Sequence, residues 1–402
     1  MERIVIVGGG QAALSFAARA RLLDERVTIT MLGEEPVTPY QRPPLSKAYL
    51  AGDMPIDRLM LRGASWFADH DITFRPGVRA EGIERKDARV RTSDGLEPYD
   101  ALFLATGAAA RTLSPEIGGS LANVFTMRTL ADADALAEAL RGGGRMLVVG
   151  GGYIGLEAAA VARKMGLEVT LIEAAQRILG RVASPATADF YRDLHRRHGV
   201  NVIENTALQR LVGEGDRLKG AVMADGQEIA ADLAVVGIGI SPRTDLAEGV
   251  GLATDNGVAV DAHCRSSDPA ILAAGDCASF PHRGHRVRLE SVPHAIHQAE
   301  VAADNLLGEP LPYVAKPWFW SDQYDVKLQI GGLNTGYERT VTRPGRREGS
   351  QSVWYYRGDT LLAVDAMNDA PAYMMGRRIV EAGGTLPPAV AADPTANLKD
   401  YA

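Results

Sequence analysis

Cysteine is scarce in this chain, and long apolar runs and an excess of positive charge are missing as well. The two cysteines, Cys264 and Cys277, do not form a C-x-x-C pair, and so low a number excludes a disulfide scaffold. Gly and charged residues such as Glu157 interrupt the longest apolar runs, which excludes a transmembrane helix. The formal net charge of −7 argues against a general nucleic-acid-binding protein.

What is present is the composition of a soluble globular protein of the α/β class. Hydrophobic residues make up 46% of the chain and charged residues 23%, and the 43 glycines suit many tight turns between strands and helices. A length of 402 residues predicts two or three domains. Strand-like sequence begins almost at Met1, so we expect no secretory signal or transit peptide and a cytoplasmic location.

Two glycine-rich segments repeat one pattern, in which an apolar run leads into a turn and then into a helical pattern. The first, Gly8-Gly9-Gly10-Gln11-Ala12-Ala13, follows residues 4–7, and the second, Gly150-Gly151-Gly152-Tyr153-Ile154-Gly155, follows residues 146–149. One G-x-G-x-x-G/A is a weak signal, but two copies in this context predict two dinucleotide sites. A protein with two such sites usually passes electrons between the dinucleotides.

In the first segment each small residue has a separate role. Gly8 permits a tight turn, Gly10 lets the backbone approach a pyrophosphate, and Ala13 keeps helix and strand close. The phosphates then lie at the helix N-terminus, where N–H groups and the helix dipole favour negative charge. At the end of the next apolar run, Glu34 is expected to accept the ribose hydroxyls. Glu35 is the alternative, and a solvated loop position for both acids is the other interpretation.

Three further segments belong to the same predicted site. In Arg42-Pro43-Pro44-Leu45-Ser46-Lys47 the prolines fix an extended entry, and Ser46 caps or begins a helix. Lys47 then points back toward the ligand, unless it is a surface lysine. Two apolar runs end in Ala105-Thr106-Gly107 and in Gly275-Asp276. Asp276 is placed beside an expected helix start to bind a ribityl chain or a phosphate-side hydroxyl, and capping that helix is its other interpretation.

The second segment has a true third glycine, Gly155, and an acid at the expected distance. The strand pattern of residues 168–172 ends at Glu173, about 20 residues beyond the turn. Such a carboxylate binds both hydroxyls of an adenosine ribose and repels a 2′-phosphate, which favours NADH over NADPH. The nearby Arg177 and Arg181 weaken this preference. The small residues of Gly237-Ile238-Gly239 end another strand and let a nicotinamide approach.

Glu157 is unusual because it lies one turn into an alanine-rich helix that should pack against the sheet. A buried carboxylate is costly unless it is paired. Lys47 is the candidate partner, and the pair would set the local charge where hydride arrives.

The motifs together resemble those of the NADH-dependent ferredoxin reductases of oxygenase systems, of the putidaredoxin reductase and biphenyl dioxygenase reductase type. These belong to the wider glutathione-reductase-like flavoproteins. The motifs that carry the resemblance are residues 8–13, 42–47, 105–107, 150–157, 275–278, 290–293 and 317–323. The last of them, Pro317-Trp318-Phe319-Trp320-Ser321-Asp322-Gln323, is the most specific, and the resemblance covers nearly the whole chain.

The resemblance implies FAD, bound non-covalently, at the first segment and NADH at the second. The residues assigned to FAD are Gly8, Gly10, Ala12, Ala13, Glu34, Arg42, Lys47, Ala80, Thr106, Gly107, Arg128, Asp276, Val292 and Trp320. The residues assigned to NADH are Gly150, Gly152, Tyr153, Ile154, Gly155, Glu173, Arg181, Gly237, Ile238 and Gly239. Lys47, Glu157 and Trp320 are assigned to the reaction centre, and no metal site is expected. Trp320 shields the flavin from solvent, unless it is a core residue.

The fold class that follows is α/β, with two Rossmann-like, three-layer dinucleotide-binding domains and a C-terminal α+β domain. The FAD domain is discontinuous, with residues 1–112 and 238–316, and the NAD domain, residues 113–237, is inserted into it. The C-terminal domain is residues 317–402. Within it, residues 352–356 and 360–364 predict a hairpin, residues 372–382 predict a helix, and the tail from 385 to 402 is expected to be irregular.

The electron acceptor is inferred from a missing cysteine. Disulfide reductases of this architecture keep a Cys pair beside the flavin and peroxidase relatives keep a single Cys, whereas residues 43–47 occupy the corresponding helix here without one. We therefore expect hydride transfer from NADH to FAD and single-electron transfers to a small acidic two-iron ferredoxin, with no general acid or base. The ferredoxin would serve a haem monooxygenase or a ring-hydroxylating dioxygenase. An NADH oxidase or other pyridine-nucleotide flavin reductase, and a flavin redox-signalling protein, are the alternatives.

An acidic ferredoxin requires a basic docking patch on the reductase. The candidates are residues 282–288, which include Arg286 and Arg288, and residues 343–347, which include Arg343. Each cluster can also be a set of solvated loop charges. We expect no nucleic-acid or membrane partner, and a monomer or weak dimer.

Overall fold

The computed structural model describes residues 1–401, and the chain divides into two compact units. The first unit comprises Met1–Gln41, Ile56–Ala109 and Ser241–Pro317. The second comprises Arg42–Pro55, Ala110–Ile240 and the chain from Trp318 onward. The short strands Ala108–Ala110 and Ile240–Pro242 lie where the chain passes from one unit to the other.

The first unit is built on a five-stranded parallel sheet. From one edge to the other its strands are Ile271–Ala273, Ala101–Leu104, Arg3–Val7, Thr28–Gly33 and Ile72–Pro76. The last four residues of the central strand are buried, as in a parallel strand covered on both faces. The helices Gln11–Leu23 and Val292–Leu307 pack against each other, and the Phe16 ring stacks on that of Phe103 at 3.9 Å.

Shorter elements complete the first unit. They are the antiparallel sheet of Ala80–Glu84, Arg89–Thr92 and Gly95–Pro98, the mixed sheet of Val258–Ala259, Ala278–His282 and His285–Val287, the helices Ser65–Asp69 and Asp245–Glu248, and the 3-10 turns Ile56–Arg58 and Gly275–Cys277.

The second unit repeats the parallel topology. Its sheet contains Asn201–Ile203, Glu168–Ile172, Arg145–Val149, Leu233–Val236 and Val124–Phe125. Its longer helices before residue 318 are Leu130–Arg141, Tyr153–Lys164 and Pro185–Arg197. The other elements are the antiparallel strands Leu208–Glu214, Arg217–Met223 and Glu228–Ala230 and the 3-10 turns Pro43–Ser46 and Pro115–Ile117.

The C-terminal part of the second unit is an antiparallel sheet with a helix packed on it. The strands, in spatial order, are Trp318–Gln323, Val326–Gly332, Thr360–Met367, Gln351–Arg357 and Arg339–Pro344. The predicted hairpin is confirmed, because Gln351–Arg357 and Thr360–Met367 pair across a two-residue turn. The predicted helix is confirmed as Ala370–Glu381.

The prediction of an irregular tail is wrong for part of the described chain. Pro388–Ala392 is an α-helix and Leu398–Tyr401 a 3-10 turn. The physical reason is a buried side chain: Arg343 is 7% exposed and donates to carbonyl oxygens of the tail. Those oxygens belong to Val390, Ala391, Asp393, Pro394 and Ala396.

The fold class is confirmed by this arrangement of two parallel sheets flanked by helices and a C-terminal α+β part. Among residues 1–401, none of the helices has both the length and the apolar character needed to span a membrane.

Candidate functional site

The first glycine turn has the geometry that a pyrophosphate requires. Gly8 has a φ of +140°, and a Cβ there would overlap the carbonyl oxygen of Ala105, so no other residue fits without a backbone shift. A Cβ at Gly10 would meet nothing within 4 Å. The turn is therefore closed on the side of the sheet and open at the start of the helix Gln11–Leu23.

The start of this helix lacks a side-chain cap. Gly10 is the N-cap residue and has no side chain to accept from the first N–H groups, which leaves them to a ligand. By contrast, Ser291 caps the helix Val292–Leu307 in the same unit. Ala12 and Ala13, in the first turn of the helix Gln11–Leu23, are buried, as the close helix–strand packing requires. The residues present therefore fit the pyrophosphate of a dinucleotide.

The other polar residues predicted for this site follow the carboxyl ends of the same parallel strands. Glu34 follows Thr28–Gly33, Thr106 follows Ala101–Leu104, and Asp276 follows Ile271–Ala273. Ligands of open parallel sheets bind at this edge. Asp276 lies in a 3-10 turn that continues into a strand, so the α-helix expected to start there is absent. Arg288 donates to its backbone carbonyl oxygen at 3.1 Å.

Glu34 carries an ion pair that sequence reasoning missed. Arg243 donates to its Oε2 atom, and Arg79 lies 3.5 Å from its Oε1 atom. The Thr106 hydroxyl donates to the carbonyl oxygen of Arg243 at 2.7 Å. This bond fixes the backbone of Arg243, whose side chain pairs with Glu34. The Glu34 side chain is 41% exposed, and each carboxylate oxygen has a further lone pair for a ribose hydroxyl. No motif near Arg243 indicated this contact. Glu35, the alternative, accepts from the Tyr40 hydroxyl at 2.6 Å.

The second glycine turn repeats this geometry within the second unit. Gly150 has a φ of +107°, and a Cβ there would lie 2.5 Å from the Gly237 carbonyl oxygen. A Cβ at Gly155 would overlap the Gly150 carbonyl oxygen, which fixes how closely the helix Tyr153–Lys164 approaches the strand. Gly152 is the uncapped N-cap residue, and a Cβ there would come no closer than 3.9 Å to a neighbouring atom. These residues also fit a dinucleotide phosphate.

Glu173 supports the turn as well as facing it. Its Oε2 atom accepts from the Gly151 N–H at 2.7 Å, and its Oε1 atom accepts from the Ala175 N–H at 2.7 Å. Arg177 donates to the Ala183 carbonyl oxygen at 3.0 Å, and the exposed Arg181 lies beside Gly239. Within the described chain, neither arginine is paired with the Glu173 carboxylate. The Ile154 side chain lies at the surface and is 42% exposed.

Lys47 and Glu157 form the ion pair that the sequence predicts. Lys47 Nζ lies 2.7 Å from Glu157 Oε2 and donates to the Pro43 carbonyl oxygen at 3.1 Å. The Glu157 side chain is 1% exposed and that of Lys47 16%. Glu157 also accepts from the hydroxyls of Ser46 at 2.5 Å and Ser321 at 2.6 Å. The pairing is confirmed; the role of the two serines was missed, although both lie in motifs that the resemblance singled out.

Lys47 does not lie in an α-helix, contrary to expectation. Pro43–Ser46 form one 3-10 turn, and Lys47 closes it by donating its N–H to the Pro44 carbonyl oxygen at 3.0 Å. The backbone of Lys47 has a φ of −131° and a ψ of −112°, outside the helical region, so the turn does not continue into an α-helix.

Three further predicted residues, Arg42, Arg128 and Trp320, belong to the second unit. Arg42 donates to the Arg128 carbonyl oxygen at 2.7 Å, just before the capping box of the helix Leu130–Arg141. Trp320 is half-buried, with its ring 5.5 Å from that of Trp318.

Ala80, Val292 and Tyr153 each lie at the first position of an element. Ala80 begins a strand and Val292 begins a helix of the first unit, and Tyr153 begins a helix of the second. The Tyr153 ring packs 5.0 Å from that of Phe319, and burial holds the pKa of its phenol well above the usual value. Only the backbone of Tyr153 is therefore available to a phosphate.

The two basic clusters contain both buried and exposed arginines. Arg286 donates to the Val260 and Ser279 carbonyl oxygens at 2.9 and 2.7 Å. The Arg288 side chain is 8% exposed and pairs with Glu290 at 2.7 Å. Arg343 is buried against the tail. Arg288 and Arg343 therefore hold loops together within the fold. The side chains of Arg283, Arg286, Arg346 and Arg347 are exposed, and the docking patch stays a prediction.

Neither cysteine can relay electrons. Cys264 and Cys277 are free and fully buried, and burial raises the pKa of both thiols. A raised pKa removes the thiolate, which is the reactive form.

Comparison with known proteins gives the same picture over the whole chain. Residues 2–299 match the family described as pyridine nucleotide-disulphide oxidoreductase, and residues 318–402 match the family described as Reductase C-terminal. The chain is 42% identical to a 5,5'-dehydrodivanillate O-demethylase ferredoxin reductase subunit from a Sphingobium species, over 94% of this chain and 93% of the relative. It is 41% identical to rhodocoxin reductase of Rhodococcus erythropolis, over 98% and 93%.

A solved structure of putidaredoxin reductase in covalent complex with putidaredoxin superimposes with a TM-score of 0.96 at 37% identity, covering 100% of this chain and 98% of that one. The chain therefore belongs to the pyridine nucleotide-disulphide oxidoreductase family and, within it, to the ferredoxin reductases.

Proposed function

We propose that this protein passes electrons from NADH through FAD to a small two-iron ferredoxin that serves an oxygenase. The observation that carries the proposal is a pair of dinucleotide turns, each open at an uncapped helix start, in a chain whose two cysteines are buried. FAD and NAD(H) are the cofactors that membership of the family implies. When bound, FAD accepts an electron pair from NADH and releases the electrons singly.

We assign FAD, bound non-covalently, to the first turn. Gly8 and Gly10 shape the pyrophosphate site, and the Gln11–Leu23 helix supplies unpaired N–H groups and the positive end of its dipole. Glu34 accepts ribose hydroxyls while its ion pairs with Arg243 and Arg79 keep it in place. Asp276 and Thr106 provide polar groups at the ends of the neighbouring strands.

We assign NADH to the second turn, with a preference over NADPH. Glu173 presents a carboxylate where a 2′-phosphate would lie, and its bonds to Gly151 and Ala175 hold it there. Arg177 donates to a loop carbonyl oxygen, so it does not offset the repulsion between Glu173 and a 2′-phosphate. The Gly237-Ile238-Gly239 segment, next to Gly155, leaves room for the nicotinamide.

Lys47 and Glu157 position charge at the flavin. Lys47 uses two of its three ammonium protons, for Pro43 and Glu157, which leaves the third for the cofactor. Glu157 is buried and accepts three hydrogen bonds, from Ser46, Lys47 and Ser321, which keep the Lys47 ammonium in one place. Trp320, half-buried on the neighbouring strand, limits the access of water.

The domain boundaries remain part of the proposal, with the FAD domain at residues 1–112 and 238–316, the NAD domain at 113–237 and the C-terminal domain at 317–402. The segment Arg42–Pro55, placed in the FAD domain by sequence, belongs to the second compact unit. A monomer or weak dimer in the cytoplasm is also part of the proposal.

The partner belongs to the proposal because solved and curated relatives include putidaredoxin reductase and rhodocoxin reductase. The test is steady-state oxidation of NADH with a panel of two-iron ferredoxins, using ferricyanide as the control acceptor. At least one ferredoxin should be reduced at a rate that saturates with its concentration. Ferricyanide turnover without reduction of any ferredoxin would contradict the proposal.

A further inference from the structure

A chain of hydrogen bonds between buried side chains begins at Glu157. The ion pair of Glu157 with Lys47 would form without this chain. The Oε1 atom of Glu157 lies 2.6 Å from the Ser321 hydroxyl, which lies 3.1 Å from Nε2 of Gln323. Oε1 of Gln323 lies 2.8 Å from Nε2 of His195. Nδ1 of His195 lies 3.4 Å from the Tyr324 hydroxyl, and all five residues belong to the second unit.

The carboxylate fixes the direction of every bond in this chain. A carboxylate only accepts, so Ser321 donates its proton to Glu157 and accepts from the amide of Gln323. The amide oxygen then faces His195, whose Nε2 must carry the proton. Burial lowers the pKa of His195 to about 4, so the ring is neutral at pH 7 and its Nδ1 accepts from Tyr324. Every donor therefore points toward Glu157.

The hydrogen-bonded chain buries polar side chains, and burying polar side chains costs free energy of folding. Ser321 and His195 are 0% exposed and Gln323 is 1% exposed. Apolar residues of similar volume would fill these positions without demanding partners. Hydrogen bonds in series polarise one another in a low-dielectric interior, so the last donor on Glu157 is strengthened by those behind it. An amide passes no proton along such a chain without forming a high-energy tautomer, so the chain holds charge in place.

We propose that Gln323 and His195 are positioning residues, which keep Ser321 as a donor to Glu157 and thereby fix the charge that Lys47 presents to the flavin. Ser46 and Ser321 occupy one oxygen each of the carboxylate, so it cannot rotate away from Lys47. This inference rests on the proposed function, because it requires Lys47 to face the cofactor.

The test is the isosteric variant Gln323→Glu in the FAD-loaded protein. A protonated carboxyl reproduces the amide, since it accepts from His195 and donates to Ser321. An ionised carboxyl only accepts, so it draws the Ser321 proton away from Glu157. The variant should therefore behave like the wild type at low pH and differ from it increasingly as the introduced carboxyl ionises.

Two readouts follow the change. The flavin midpoint potential, measured by spectroelectrochemistry, should fall relative to the wild type as the pH rises, because the added negative charge disfavours reduction. The rate of flavin reduction by NADH in stopped flow should fall by roughly tenfold over the same range, as for one lost hydrogen bond to a charged group. A difference from the wild type that is the same at every pH in both readouts overturns the inference, since packing alone does not titrate.

Gln323→Met covers the case in which the first variant does not fold. It removes the donor at every pH, so we expect the tenfold loss in reduction rate at every pH, and an unchanged rate overturns the inference. Ser352→Ala is the matched control. Ser352 is buried in the same sheet and accepts from Trp354 Nε1 at 3.0 Å, outside the chain. It should lower stability and leave the flavin potential unchanged.

Lys47→Met separates this inference from the proposed function. If Lys47→Met leaves the flavin potential unchanged, the placement of Lys47 at the flavin is wrong, and the proposed function loses that part. If Lys47→Met shifts the potential and neither Gln323 variant does, only the positioning role is wrong.

Discussion

Glu173 shows, at the scale of a single residue, how one carboxylate serves both the turn and the ribose site. It accepts from two backbone N–H groups and still has lone pairs for hydroxyl groups. The sequence predicted it from spacing alone, because the strand–turn–helix–strand unit has a nearly constant length.

Glu173→Ala should weaken NADH binding by a few kcal/mol at most, because the carboxylate supplies charge-assisted hydrogen bonds to the ribose. Titration of the protein with NADH under anaerobic conditions measures the change. Glu34→Ala is the control, since it lies at the other turn and should leave the NADH affinity unchanged. An unaltered NADH affinity in Glu173→Ala would place the ribose elsewhere.

Lys47→Met should lower the free energy of unfolding by about 3–5 kcal/mol, because it leaves the buried Glu157 charge without its cation. Adding Glu157→Gln should recover much of this loss, since the amide is neutral and bonds to both serines. Urea unfolding of the two variants measures the difference. Equal stabilities of the single and double variants would mean that the ion pair contributes little.

The residues that could be predicted are those that a general rule demands. A buried acid needs a partner, which led from Glu157 to Lys47. Arg243, which pairs with Glu34, is far away along the chain, and no motif or spacing links the two residues in the sequence. Arg343 reads as surface charge because composition does not reveal that its side chain turns inward to carbonyl oxygens.

At the scale of elements, the strands and helices with strong periodicity were predictable, and the short turns were not. The hairpin of residues 351–367 consists of two largely buried runs joined by a turn of Gly358 and Asp359. Pro43–Ser46 was expected as the start of a longer helix, but the backbone leaves the helical region at Lys47 and only a 3-10 turn forms. The tail has order because it is tied to Arg343, which no local pattern discloses.

Arg343→Leu should release the tail after residue 386. The variant loses charge-assisted hydrogen bonds to carbonyl oxygens that then lack a partner, at a cost of several kcal/mol. Limited proteolysis should cleave the tail of the variant much faster than that of the wild type. Arg346→Leu replaces an exposed arginine three residues further along the chain; it is the matched control and should have no effect. Equal cleavage rates for Arg343→Leu and the wild type would refute the anchoring role.

At the scale of the whole molecule, three buried groups give the two units different responses to acid. Burial lowers the pKa of His294, in the first unit, and of His195, in the second, to about 4. Burial raises the pKa of Asp365, in the second unit, to about 6. Between pH 6.5 and 4 the folded histidines bind fewer protons than the unfolded ones, so stability falls as the pH falls. The folded Asp365 binds more protons than the unfolded one between pH 6 and 3.8, so its contribution rises.

The first unit should therefore lose stability on acidification, while the opposing shifts in the second unit nearly cancel. Each pKa unit corresponds to about 1.4 kcal/mol, so His294 alone costs a few kcal/mol by pH 4. Hydrogen exchange followed by mass spectrometry at pH 6.5 and 4.5, corrected for intrinsic rates, should show lost protection in peptides of the first unit. His294→Asn should reduce that dependence, and the lowered pKa values of His282 and His297 account for the remainder. Equal loss in both units would contradict this account.

The two units share one topology, a parallel strand, a glycine turn and an uncapped helix, and the assigned cofactors differ through the acids and cations around each turn. Sequence periodicity and spacing predicted both copies. The partner surface was not predictable, because exposed charge in a sequence does not show which side chains a fold turns inward.

An anaerobic titration tests the central claim, that electrons leave this protein from the flavin without a thiol relay. One equivalent of NADH should bleach the flavin absorbance of the FAD-loaded protein, and a two-iron ferredoxin should then restore it as its own absorbance falls. The Cys264→Ser and Cys277→Ser variants should do the same at wild-type rates. A flavin that stays reduced with every ferredoxin, or a variant that has lost the second step alone, would contradict the account.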